Sequence, residues 1–241
     1  MPLTATLNPT LEGRSILFAS GVTNWLSQVR NASSANSTVT YNTPQTFPDG
    51  SAIRIGYTVG RLGNNGQCGR TFLFFDLSSI SGVITAADLT VRSSTNSGAS
   101  SAICVESTAW GGGGGTTTLS NSDYSNVVFS NTFSNSISNL SWNNGANTFT
   151  LNATAIAEMN ANSYLNVAII NYNFDANGSN MLLGTNRLSN VYFQNSAQPI
   201  ELDITYNTNV GYGNDVINVS SSSIDSIMNV PTADIDTVIN V

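Results

Sequence analysis

The side chain that most often does acid–base chemistry is missing: among 241 residues there is no histidine. That removes the Ser-His-Asp and Cys-His arrangements, the histidine zinc sites and the commonest general base together. Lysine is absent too, all seven cations being arginines, so Schiff-base and phosphate-loop lysine chemistry has no residue to act through. Fourteen acids remain. A facing carboxylate pair, as in glycoside hydrolysis, is the reaction they could still support. Spacing does not show which acids face each other, and Glu106, Glu158 and Glu201 read more simply as solvated or strand-face acids. The chain is therefore expected to be no enzyme.

Other residues could bind rather than react. The segment Asp175-Ala176-Asn177-Gly178-Ser179-Asn180 offers oxygen ligands to calcium through Asp175 and Asn177, without the later acid of a full calcium loop. A hairpin turn explains its Asn-Gly step equally well, and no other cofactor or metal is expected. Trp25, Trp110 and Trp142 could form a stacking platform for sugar rings, although packing in a core or at its rim is the commoner fate of tryptophan. Trp110, beside the glycine run Gly111 to Gly115, is the one best placed for exposure and is the candidate glycan contact. Cys68 and Cys104 are the only cysteines. They could pair, but in a chain without an export signal they read as two small buried hydrophobes.

Composition narrows the partners. Only 9% of residues are charged, 40% are hydrophobic, and the formal net charge is −7. Seven scattered arginines build no basic patch, so nucleic acid is not an expected partner. Aromatic and β-branched residues are plentiful enough for a folded chain. Met1 to Thr10 shows no cationic region followed by a long apolar run, so no secretory signal is expected. Nothing approaches a membrane-spanning run either.

The elements that must position these residues are strands. Ile200, Leu202, Ile204 and Tyr206 alternate with polar residues without a fault, and Phe149/Leu151, Leu89/Val91 and Ile103/Val105 do the same. Thr71 to Leu77 and Leu165 to Tyr172 are more continuously apolar and read as central strands covered on both faces. Asp49-Gly50, Asn65-Gly66, Asn144-Gly145 and Asn177-Gly178 accept positive φ and suit tight hairpins. One stretch looks helical, Ala153 to Asn162. The expected fold is all-β: an antiparallel sandwich or jelly roll with one short helix.

After Tyr206 the texture changes. A polar linker leads to Val216-Ile217-Asn218-Val219, Ile227-Met228-Asn229-Val230 and Val238-Ile239-Asn240-Val241, three copies at one spacing of eleven residues. Pro231 and the β-branched residues argue against a continuous helix, so a turn-then-strand unit is expected. Each unit is too short to bury its own apolar face and should dock onto its own sandwich, a symmetry mate or another protein. The candidate assembly residues are Val216, Ile217, Val219, Ile224, Ile227, Val230, Ile235, Val238 and Val241. Three regions follow: an N-terminal strand or arm over 1–40, the sandwich over 41–206, and the linker and repeat arm over 207–241.

Arg70-Thr71-Phe72-Leu73-Phe74-Phe75-Asp76-Leu77-Ser78-Ser79-Ile80, followed by Ile84-Thr85-Ala86-Ala87-Asp88-Leu89-Thr90-Val91, resembles the disaggregatase-related (DNRLRE-type) carbohydrate-binding-like domain. Val105 to Trp110, Phe149 to Ile156 and Pro199 to Tyr206 resemble further pieces in that family's order, so the resemblance spans roughly residues 40 to 206. It implies a jelly-roll sandwich of the kind attached to polysaccharide-active enzymes and found on cell-surface and phage proteins. Phe72 and Phe74 would fill one face of a central strand and Leu73 and Phe75 the other, with Asp76 ending it by accepting backbone hydrogen bonds at Ser78 and Ser79. The tail units resemble the I-x-x-V-x-G-V repeats near the ends of phage structural proteins, with Asn or Ile where that pattern has glycine.

Two functions are expected on these grounds. The first is a phage virion component: a capsid decoration, head fibre or tail-associated subunit that docks through its arm onto other virion proteins or its own copies, as a trimer in the fibre case. The second is a carbohydrate-binding module of a secreted or cell-surface protein, with surface glycans as partners. Either places the chain in a virion or outside the cell, with no membrane and no nucleic acid.

Overall fold

The computed structural model describes residues 2–41, 50–60, 63–93, 96–97, 101–113, 118–138, 145–192, 199–208, 226–227 and 230–231. The chain runs through β1 (Leu3–Leu7), β2 (Leu11–Ser20), β3 (Ser37–Tyr41), β4 (Gly50–Gly60), β5 (Gly63–Asp76), β6 (Val83–Ser93), β7 (Asn96–Ser97) and β8 (Ala102–Ser107). It continues through β9 (Val127–Thr132), β10 (Gly145–Thr150), helix α1 (Ala153–Asn162), β11 (Tyr164–Asn171), β12 (Thr185–Tyr192) and β13 (Glu201–Asn207). Two short strands, β14 (Ser226–Ile227) and β15 (Val230–Pro231), follow.

The architecture is an all-β antiparallel sandwich. One sheet has the order β1-β13-β6-β10; the larger runs β7-β12-β4-β5-β11-β8-β9, with β2 joining β5 to β3. Take β1, β5, β6, β8, β9, β10, β11 and β13 as the eight core strands. The first sheet then holds the first, eighth, third and sixth, and the second holds the second, seventh, fourth and fifth. That is jelly-roll order. Within the first forty residues, β1 pairs with β13 from Leu3↔Tyr206 to Leu7↔Leu202, and β2 pairs with β5 from Leu11↔Phe74 to Ser20↔Asn65.

Strand β5 organises the rest. Its residues 63–68 pair with β4, residues 71–76 with β11, and residues 65–74 with β2. Because β2 overlaps both other ladders, β4 and β11 must share the opposite edge of β5, one after the other. The covering of both faces expected over Thr71–Leu77 is present. Leu73, Phe75 and Leu77 join Leu165, Val167 and Ile169 against Leu89, Val91, Phe149, Leu202 and Ile204 of the facing sheet. Phe72 and Phe74 point the other way, with Ile103, Val105, Ala168 and Ile170. Burying each such side chain contributes roughly 1.5–3 kcal/mol, so both faces of β5 are anchored. Strand β8 is likewise covered twice, with Ala102 and Cys104 between the sheets and Ile103 and Val105 behind them.

The helix occupies Ala153–Asn162, as its sequence suggested. The Asn152 side chain accepts from the Ala155 backbone N–H at 3.1 Å and caps its first turn. Asn160 exchanges two hydrogen bonds with the Ile84 backbone, and Ala155 and Met159 enter the core between the sheets. Among the described residues no helix is long and apolar enough to cross a membrane.

Two turn expectations are corrected. Asn65-Gly66 lies inside β5, not in a hairpin. A side chain at Gly66 would put its Cβ 2.3 Å from a Val29 methyl and 3.1 Å from one of Val22, so the glycine serves a close approach. Asn177-Gly178 follows a single π-helical turn over Tyr172–Ala176 and makes no hairpin either. Asp49 and Asn144 fall outside the described residues.

Candidate functional site

The back of the larger sheet is roofed by irregular segments, and one ion pair ties them together. Cys68, Arg70 and Phe72 share a face of β5, and Arg70 enters the gap between two apolar clusters. Its Nε donates to Asp175 Oδ2 at 2.9 Å and its Nη2 to Asp175 Oδ1 at 2.7 Å, a bidentate pair whose side chains are 1% and 0% exposed. Nη2 also donates to the Arg30 carbonyl at 2.7 Å, and Nη1 to the Tyr124 carbonyl. The guanidinium lies 4.0 Å over the Tyr124 ring. Arg30 completes the node by donating to the carbonyls of Asp175 and Ala176 while stacking 3.9 Å over Phe129. Segments around Arg30, Tyr124 and Asp175 are thereby fastened to one strand.

Electrostatics follow burial. Desolvation works to lower Arg70, but the Asp175 carboxylate and then Tyr124 outweigh it, so the guanidinium is held above its ordinary value. Burial pushes the Cys68 thiol up to about 12, with Asp175 adding to the rise. Tyr124 and Cys104 are raised by burial as well. Both cysteines are free and buried, and neither is a nucleophile at neutral pH. The node is buried, and each nitrogen of its guanidinium has a partner. It holds the fold and offers no open position.

The two calcium candidates stand in different surroundings. The Asp175 carboxylate is committed to Arg70, whereas Asn177 is exposed after the turn, so the two do not converge on an ion. Among the described residues no cluster of three or more acids or cysteines could hold a metal. The glycan candidate is also corrected. Trp110 is 0% exposed and meets Phe72 edge-on at 6.2 Å. Its own φ of 54° and the positive φ of Gly111 and Gly112 turn the chain back, so the glycines drive the ring into the core. Trp25 is buried as well, and Trp142 lies outside the described residues.

The acids take separate positions. Glu106 on β8 accepts from Asn131, and Glu158 on α1 accepts from Asn162 at 2.6 Å. Glu201 stands across from Thr90. Asp88 and Asp203, by contrast, are direct cross-strand partners. They share a shallow groove of about 240 Å³ with Thr4 and Thr6, and Thr6 donates to Asp203 at 2.5 Å.

A larger groove, about 470 Å³, lies on the other face of β5 from the ion pair. Phe18 and Ser20 of β2, Asn65 and Gln67 of β5, and Gly56 and Thr58 of β4 line it. The register explains the set: Phe18↔Gln67↔Gly56 and Ser20↔Asn65↔Thr58 are rows across three strands. Phe18 is 49% exposed, unusual for a large ring in a paired strand. The Gln67 side-chain nitrogen is buried with no hydrogen-bond partner among the described residues.

No family model matches the chain, and no curated protein matches its sequence. The likeness to the disaggregatase-related domain rests on the quoted residues alone. Of those, Arg70 is the buried clamp and Asp76 behaves as expected, accepting the Ser78 backbone N–H at 2.8 Å.

Of the candidate assembly residues, Ile227 and Val230 pair directly across β14 and β15. Val216, Ile217, Val219, Ile224, Ile235, Val238 and Val241 lie outside the described residues. Sequence reasoning missed Phe18 and Gln67. Alternation marks Ile16 and Phe18 as one face of a strand, but which part of that face the second sheet covers is a tertiary matter.

Proposed function

We propose that this chain is a non-enzymatic structural subunit of a phage virion: a capsid decoration, head fibre or tail-associated protein that docks through its C-terminal arm. The observation that carries this is the three-copy repeat at a spacing of eleven residues over 216–241. In its middle copy Ile227 pairs with Val230, which makes a two-plus-two-residue ribbon. A ribbon that small cannot bury an apolar face by itself, and repeated units of this kind gain stability only by stacking or docking. The sandwich, by contrast, closes its own core by Tyr206, with β13 paired on both sides. Structural and adhesive parts are thus separate along the chain.

The sparse charge and the absence of histidine and lysine support the same reading, since they leave few groups for chemistry. The test is a double substitution in the arm, Ile227→Asp with Val238→Asp, followed by purification of particles. The expected outcome is loss of the protein from particles with an unchanged unfolding midpoint. Normal incorporation of the double variant would overturn the proposal.

A further inference from the structure

We infer that the outer edge of β1 is a self-association site, where a second copy of this chain adds its own β1 antiparallel about a two-fold axis through Ala5. Strand β1 ends the smaller sheet. It pairs with β13 on one side, and among the described residues no strand lies on the other. The outward N–H and C=O groups of such an edge are a template for another strand. Edges are ordinarily guarded by lysine, proline, an inward-pointing charge or a bulge. Residues 3–7 carry none of these, and their register with β13 is unbroken. Leu3, at one end, is 42% exposed. The opposite edge strand, β10, is different: where it ends, Leu151 is bridged to Ser134, and the Asn152 N–H donates to the Phe133 carbonyl.

The order of the residues selects the partner. Leu3-Thr4-Ala5-Thr6-Leu7 reads the same in both directions. An antiparallel pair centred on Ala5 therefore sets Ala5 against Ala5, Thr4 against Thr6 and Leu3 against Leu7. A two-fold interface is self-complementary by construction, and here every pair is also like with like. Thr–Thr pairs across strands are favourable, and the Leu pair covers Leu3. The two kinds of pair fall on opposite faces of the strand. Leu7 already packs against the core between the sheets, whereas Thr6 stands outside and donates to Asp203.

Charge agrees with this edge. Each copy carries −7, so copies repel where acids meet, yet residues 3–7 are uncharged. Asp203 stands one strand behind, across from Thr6. Two five-residue strands bury well short of the ~1,600 Å² of a standard stable interface. The dimer is accordingly weak in dilute solution and fills where copies are concentrated or held side by side.

The palindrome also supplies the test. Directly opposite residues of an antiparallel pair have Cα atoms about 4.5 or 5.5 Å apart, within the span of a disulfide. In the proposed register only Ala5 faces its own copy. Ala5→Cys in the full chain should therefore give a covalent dimer under mild oxidation, read as intact mass without reductant. Val59→Cys on β4, at a position 74% exposed, should not do so at the same concentration. The native cysteines are both buried and do not compete. Sedimentation velocity of the unaltered chain should show a concentration-dependent monomer–dimer equilibrium. Leu3→Glu should raise its dissociation constant about tenfold or more, because symmetry counts the lost contact twice. Thr4→Glu should raise it several-fold, since like charges approach across the axis. Thr4 is exposed, so this variant keeps the test intact if Leu3→Glu unfolds.

A chain that stays monomeric at every concentration, an Ala5→Cys variant that cross-links no better than Val59→Cys, or a dimer indifferent to Thr4→Glu would overturn the inference. The inference does not depend on the arm, and its failure would leave the virion proposal standing. A dimer lost with Ile227→Asp and Val238→Asp but unmoved by Thr4→Glu would overturn it in favour of association through the arm.

Discussion

Strand β5 has two faces that do opposite things with polar groups. On one, Arg70 spends its donors on Asp175 and two carbonyls, under aromatic rings and out of water. On the other, Gln67 keeps an amide nitrogen without a partner among the described residues, beside a half-exposed Phe18. The two side chains are three residues apart in sequence and belong to different sides of the sheet. A buried polar node stabilises only while it is intact, because each partner removed leaves another group buried and unpaired. Polarity is buried with partners on the Arg70 face, and on the Gln67 face it is buried incompletely.

The comparison can be broken most forcefully at the clamp. Arg70→Met should lower unfolding stability by about 3–5 kcal/mol, because Asp175 would be left buried and unpaired. The double change Arg70→Met with Asp175→Leu should recover most of that, since apolar replacement of a buried pair is often close to neutral. Denaturant unfolding of both variants checks it, and a double variant as weak as the single would show that the hydrogen bonds to the carbonyls matter more. Trp110→Ala should cost about 3–5 kcal/mol through the cavity it leaves. Denaturant unfolding checks this too, and a cost below about 1 kcal/mol would mean that the site collapses around the missing ring.

Much of this was legible in the sequence, for identifiable reasons. Ile200 to Tyr206 alternates cleanly because one face lies on the core and the other on solvent, and Asn152 announces the helix as a local cap. Asp76 and Ser78 are two residues apart, so their turn is local chemistry. What stayed hidden depends on residues far apart. Arg70 and Asp175 are 105 positions apart, and nothing in either neighbourhood names the other. Trp110 beside a glycine run reads as exposed until Gly111 and Gly112 are seen to turn the chain back. Asn65-Gly66 reads as a turn because the pressure of Val22 and Val29 on Gly66 is tertiary.

Smaller effects sharpen the account. Backbone and side-chain hydrogen bonds from Ser78 hold Asp76 below its ordinary value of 3.8. A lowered carboxylate adds stability that is present above that value and lost as pH falls through the folded one. The unfolding midpoint of Asp76→Asn should therefore lie below wild type at neutral pH, and the gap should close in acid. A gap independent of pH would assign the effect to packing. Asp88→Asn should raise stability by about 0.2–1 kcal/mol, since Asp88 and Asp203 are like charges directly opposite across two strands. Thermal unfolding at low salt is the measurement, and a loss of stability would mean that contacts made by the Asp88 carboxylate outweigh the repulsion.

The virion proposal places docking in the arm and leaves the sandwich complete without it. Its most direct test compares particles made with the full chain and with a chain ending at Thr208, quantifying the protein in each and recording an unfolding curve for both. The account predicts the same unfolding midpoint and a truncated protein missing from particles. A truncated chain that still enters particles, or one that no longer folds, would contradict it.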